Sequence, residues 1–242
     1  MSTVLISAQG LRKQFGAVYA ARNITVDIHA HTVTGLIGTN GAGKTTFVNM
    51  LTGYLKPDAG SITYQNQDIT GLNPRDITQL GIARSFQIPQ LFISHTALEN
   101  IEIALSIAKQ PTHQAPAILE QFGLTEFAHL EAATLPEGIR KLLDIALAIV
   151  AKPRVLLLDE PTSGVASDEK FVIMERIMSA IRQEKITTLF VEHDMDIVQR
   201  YSDHVLAFYD GSILAEGPPD EVLNHAQVLE YIIGEPQQES VS

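Results

Sequence analysis

The chain has 242 residues, of which 45% are apolar, a formal charge of −11 and no cysteine. That length and apolar content suffice for a sizeable core, the missing thiols exclude disulfides and thiolate metal sites, and the acidic balance disfavours long-range attraction to nucleic acid or anionic lipid. No stretch approaches the roughly 18 to 20 uninterrupted apolar residues of a membrane-crossing helix, and the opening MSTVLISAQGLRKQF lacks a signal-peptide pattern, so a cytoplasmic chain is expected.

In chain order, the apolar run Val33 to Ile37 predicts a strand that enters a glycine-rich loop. Phe47, Met50, Leu51 and Tyr54 then recur at helical spacing. KPDAG at 56 to 60 stops this helix, and SITYQNQDI resumes as strand and turn. From about Pro89 to Ile149 the pattern is mostly helical, with HTALENIEIALSIA and QAPAILEQFG as amphipathic segments. Val155 to Leu158 is wholly apolar, as expected of a parallel strand buried on both faces. Phe171 to Arg182 predicts a helix and Thr187 to Val191 a strand ending at Glu192 and His193. Asp210-Gly211 between two strand-like runs predicts a hairpin, and a last helix is expected over Pro219 to Ile233. The alternation predicts an α/β fold: a core from 1–88 and 150–234, a helical subdomain over about 89–149, a β-rich N-terminal part, and a flexible tail at 235–242.

GTNGAGKT, formed by Gly38, Thr39, Asn40, Gly41, Ala42, Gly43, Lys44 and Thr45 and followed by Thr46, matches a phosphate-binding P-loop between a strand and a helix. Glycines let backbone N–H groups turn toward phosphates, Lys44 supplies a cation to the β- and γ-phosphates, and Thr45 offers a hydroxyl to Mg²⁺. VLLLDEP adds a second component. Asp159, at the carboxyl end of a buried strand, is placed to hold magnesium, and Glu160 to polarise an attacking water as general base. His193 also ends an apolar strand, where a lone histidine is more often structural.

In this order the motifs resemble the ATP-binding subunit of ABC transporters, from Val4 to about Gly234. The resemblance implies a P-loop NTPase core of ABC-ATPase type. It also implies that Phe15 stacks on adenine, that Gln87 of IARSFQIPQLF reaches Mg²⁺ and the attacking water, and that His193 contacts the γ-phosphate. Asp159 and Glu160 match the magnesium carboxylate and catalytic base. SGVASDE at 163 to 169 stands in the interface loop but departs from the usual S-A-L-D. The family works as head-to-tail dimers in which each ATP also meets the partner chain's signature motif. IARSFQIPQLF, VLLLDEPTSGV, VEHDMDIV and AEGPPDEVLNHAQVLEYIIG look like importers of branched-chain and other hydrophobic amino acids, with urea or amide importers sharing much of the ending. Implied partners are integral-membrane permeases, a second ATP-binding subunit and, indirectly, a solute-binding protein, which would place the chain on the inner membrane face. Ile88, Leu91 and Phe92 would anchor a permease helix.

The signature is altered. Leu135, Pro136, Glu137 and Gly138 stand where a serine- and glycine-rich sequence is expected, so Glu137 would carry negative charge toward the partner's ATP. Locally, Thr134 and Glu137 fit a T-x-x-E capping box with Pro136 in the first turn. A transport ATPase is the leading expectation. A regulatory nucleotide-binding subunit is the alternative, although intact Glu160 and His193 argue against it. A soluble ABC protein of translation or DNA repair is a third, opposed by the single P-loop, the absence of long inserts and the acidic balance.

Overall fold

A computed structural model of the chain describes residues 3–85 and 89–234, apart from the Asp168 side chain. Gln87, Ile88 and the 235–242 tail lie outside the described residues. The chain divides into two units, Met1–Leu80 with Leu189–Ser242, and Gly81–Thr188.

The first unit opens with β1 (Val4–Phe15) and β2 (Val18–His29), an antiparallel pair. Ile6 and Ala8 on β1, and Ile24, Val26 and Ile28 on β2, are buried at every second position, so one sheet face makes core. The strand β3 (Val33–Gly38) is buried throughout and delivers the chain to α1 (Lys44–Leu51). This helix is shorter than the apolar spacing predicts: it ends before Tyr54, which is exposed, because Gly53 adopts φ 75. Next, β4 (Ala59–Tyr64) pairs antiparallel with β1 and with β5 (Gln67–Asp68) across a turn where Gln65 and Asn66 both have positive φ. The short helix α2 (Pro74–Gln79) is capped by the Asn73 side chain.

In the second unit, β6 (Ile82–Arg84) runs parallel to a later strand described below. Thr96 and Glu99 form a full capping box at the start of α3 (Ala97–Ile107). Fully buried Asn100 accepts from Phe92 N–H at 2.9 Å and donates to the Thr96 carbonyl at 2.9 Å, so α3 fixes the loop before it. After α4 (Ala115–Gln121) comes the long amphipathic α5 (Glu137–Val150). The strand β7 (Val155–Asp159), buried through Leu158, pairs with β6 in register Ile82 to Val155 and Arg84 to Leu157. Then α6 (Ser167–Gln183) leads to β8 (Thr187–Val191), wholly buried, in which the chain passes from the second unit to the first.

The first unit is completed by α7 (Met195–Tyr201), β9 (His204–Tyr209) and β10 (Ser212–Gly217). β9 is parallel to β3 and antiparallel to β10, and the expected Asp210-Gly211 turn is present with φ 45 and 73. The final helix is broken where sequence periodicity predicts one piece. It becomes α8 (Pro219–Leu223), α9 (Ala226–Val228) and a π-type turn over Leu229–Ile233. Asn224 ends the first piece by donating its side-chain amide to the Asp220 carbonyl at 2.7 Å. Among the described residues no helix is long and apolar enough to cross a membrane.

Candidate functional site

In the first unit, β3 and α1 hold Gly38 to Thr46 as a tight loop. Gly43 caps α1 with φ 108, and a Cβ there would stand 2.6 Å from the Ala20 carbonyl, so only glycine fits. Gly38 and Gly41 also have positive φ, while Thr39, Asn40, Gly41 and Thr45 are exposed on the outer side of the loop. Lys44 is 6% exposed, and its ammonium donates to the carbonyls of Gly38 at 2.6 Å and Thr39 at 3.1 Å. The cation is therefore folded back over the loop that its charge would serve. The helix N-terminus adds the favourable end of its dipole for an anion. At the end of β1 the Phe15 ring is 52% exposed, with the Lys13 ammonium 5.6 Å from its centroid. An exposed aromatic face is what base stacking requires. His193 follows β8 on the surface, its N–H donating to the carboxylate of buried Glu192 at 3.1 Å.

In the second unit, Asp159 ends β7 with a mostly buried carboxylate that accepts from the Arg84 guanidinium at 2.7 Å. Next to it Glu160 has φ 49, a left-handed conformation uncommon for a residue with a side chain. Its carbonyl accepts from Ser163 N–H at 3.1 Å and from the Lys141 ammonium at 3.1 Å. The Asp159 carboxylate is a hard oxygen donor, the chemistry Mg²⁺ prefers. No group of three or more His, Cys, Asp or Glu suited to a metal occurs among the described residues.

The stretch expected to be an altered signature lies at the start of α5. Leu135 is buried, Pro136 and Glu137 are exposed, and Gly138 packs toward Val165 and Ile173. The capping box expected from Thr134 and Glu137 does not form. Thr134 belongs to a preceding short turn and donates its hydroxyl to the Glu131 carbonyl at 2.8 Å, while Pro136 is the N-cap and makes no side-chain cap. Glu137 instead turns toward Gly164. Leu91 is half-buried and Phe92 is 50% exposed, with Ile93 beside it more exposed still.

Three polar residues carry site geometry that sequence motifs did not single out: Arg84 on Asp159, Lys141 on Glu160, and Asp144, whose carboxylate accepts from Gln90 N–H at 2.8 Å. Burial pushes the Asp144 carboxyl up to about 6 against the lowering effect of that N–H. Their only sequence signal is a charged residue inside an otherwise apolar stretch.

Residues 21–163 match the family model described as ABC transporter. The chain belongs to the ABC transporter family. The cassette is 34% identical to the high-affinity branched-chain amino acid transport ATP-binding protein LivG of Escherichia coli (strain K12), over 97% of this chain and 100% of the relative. It is 33% identical to the corresponding protein BraF of Pseudomonas aeruginosa, again over 97% and 100%. A crystal structure of the ADP conformation of an ATP-binding cassette of an ABC transporter aligns with TM-score 0.85 and 31% identity, covering 97% of this chain and 100% of that one. The fold is that of an ABC cassette, and the chain is an ATP-hydrolysing, nucleotide-binding member of this family.

Proposed function

We propose that the cassette drives an importer of branched-chain or other amino acids, beneath integral-membrane permeases fed by a solute-binding protein. The observation that carries this is the nearly end-to-end match to cassettes named for branched-chain amino acid transport. Urea or amide import is the neighbouring alternative. In this role the chain sits on the inner membrane face through its permeases, and the exposed Phe92 offers an apolar anchor to them.

Each proposed residue has a physical task. Phe15 stacks on adenine. The N–H groups from Gly38 to Thr46 surround the phosphates, and the Lys44 ammonium exchanges its two carbonyl partners for phosphate oxygens. Thr45, Asp159 and Gln87 would hold Mg²⁺, which would supply charge neutralisation to the nucleotide phosphates. Glu160 accepts the proton of the attacking water, and His193 holds the γ-phosphate. Most of the rate enhancement then comes from placement and electrostatics.

The exposed Glu137 carboxylate favours pairing with a different cassette over self-pairing. An acid beside a nucleotide γ-phosphate weakens the contact that closes the dimer, whereas a partner with an unaltered signature would serve this chain's own ATP. Reconstitution with the permeases, second cassette and binding protein that co-purify with it tests the whole proposal. ATP-dependent uptake of leucine or isoleucine is expected. Uptake of urea or a short amide with no amino acid uptake would reassign the solute, and failure to recover any integral-membrane partner would overturn the transport role.

A further inference from the structure

On α5, Lys141 lies four residues after Glu137 and three after Gly138, so it neighbours each on the helix surface. All three meet the turn after β7. Glu137 reaches Gly164, Gly138 packs toward Val165, and the Lys141 ammonium donates to the carbonyls of Ser163 at 2.6 Å and Glu160 at 3.1 Å. Lys141 is 4% exposed. A buried ammonium needs close oxygen partners, and two peptide carbonyls aimed at one nitrogen supply them.

The turn it binds is unusual. Glu160 sits at φ 49 and Gly164 at φ 76, so the segment reverses its backbone twice within five residues. A side-chain-bearing residue stays in the left-handed region only when its surroundings hold it there. Ser163 N–H supplies one restraint on the Glu160 carbonyl and Lys141 the other. Fixing that carbonyl fixes the peptide plane, and with it the direction in which the Glu160 side chain leaves the backbone.

We propose that Lys141 is a positioning residue for hydrolysis: by clamping the Glu160 and Ser163 carbonyls it aims the Glu160 carboxylate at the attacking water. It also ties the helix that begins with the signature stretch to the turn that carries the base. The proposal rests on the assignment of Glu160 as base. Because Lys141 acts on the base and not on the phosphate loop, its loss lowers turnover and leaves ATP affinity in place. A general base displaced by about an ångström loses on the order of a hundredfold in rate.

The experiment uses the 242-residue chain, alone and with the second cassette of the proposed transporter. Lys141→Met, Lys141→Arg and Glu160→Gln are compared by steady-state ATP hydrolysis, ATP affinity by titration, and thermal melting. For Lys141→Met, kcat is expected to fall about tenfold to a hundredfold while the Kd for ATP stays within about twofold. Lys141→Arg, which keeps a cation and multiple donors, is expected to recover much of that loss. A purely structural role would instead lower kcat and bound ATP together, in step with the folded fraction, and would overturn the proposal. So would wild-type kcat in Lys141→Met alongside an inactive Glu160→Gln. Turnover in Glu160→Gln would show that the base assignment itself is wrong, and the proposal would fall with it. If Lys141→Met does not fold, Lys141→Gln is judged by the same split between kcat and Kd.

Discussion

The Glu137 carboxylate lies over the Cα of Gly164: a Cβ on Gly164 would stand 2.5 Å from Glu137 Oε1. Glu137 is thus turned onto the loop after β7 and does not cap its own helix. Its ability to fold back depends on a glycine 27 positions later in the sequence, at φ 76.

Gly164→Ala should therefore have two effects. The left-handed backbone conformation costs alanine about 1 kcal/mol, and the new methyl group displaces the Glu137 carboxylate. Chemical denaturation should show that destabilisation, and adding Glu137→Gly should recover the steric part. Identical losses with and without Glu137 would mean that the two residues do not interact.

Replacing Pro136 and Glu137 together by Ser and Gly removes the charge and restores donors at the start of α5. ATP hydrolysis by the self-paired chain, or by its complex with a second cassette, should rise severalfold, roughly the effect of about 1 kcal/mol on the closed dimer. An unchanged rate in both preparations would show that Glu137 does not limit closure.

Asp144 links α5 to the loop at Gln90 through a buried carboxylate titrating at about 6, raised from 3.8 mainly by burial. Since the folded state binds this proton more tightly than the unfolded state, the group's stabilising contribution is complete below pH 3.8 and disappears as pH rises through about 6. Asp144→Asn keeps an acceptor for the Gln90 N–H without the charge. Its stability relative to wild type should grow from pH 4 to pH 7 by about 2 to 3 kcal/mol, measured by denaturant unfolding across that range. Parallel pH curves for the two proteins would contradict the shift.

Lys44→Ala removes the only side-chain cation in the phosphate loop. Affinity for ATP should fall by about tenfold or more in a calorimetric titration, because a charge-assisted contact to phosphate contributes about 1.5 to 3 kcal/mol. Unchanged affinity would rule out the P-loop assignment.

What the sequence made legible follows the range of the forces involved. The strand, loop and helix around Gly38 to Thr45 and the strand Val155 to Asp159 were readable because a glycine-dependent turn and a buried parallel strand each demand a local pattern. Turn chemistry placed Asp210-Gly211 for the same reason. Thr134 misled because its T-x-x-E spacing is equally compatible with a separate short turn, and the Thr134 hydroxyl bonds Glu131 there. The last helix broke at Asn224, where a side-chain bond to Asp220 competes with helix continuation. Arg84, Lys141 and Asp144 were silent because their partners, Asp159, Glu160 and Gln90, are 75, 19 and 54 residues away. Only folding brings such pairs together.

Glu160 is proposed as this cassette's own general base. Glu160→Gln tests it most directly, by measuring ATP binding and steady-state hydrolysis on the same preparation with the partner cassette present. ATP should bind with near wild-type affinity and hold the dimer closed, while turnover falls by about a hundredfold or more, the range lost when a positioned base is removed. Undiminished turnover with intact binding would contradict the account.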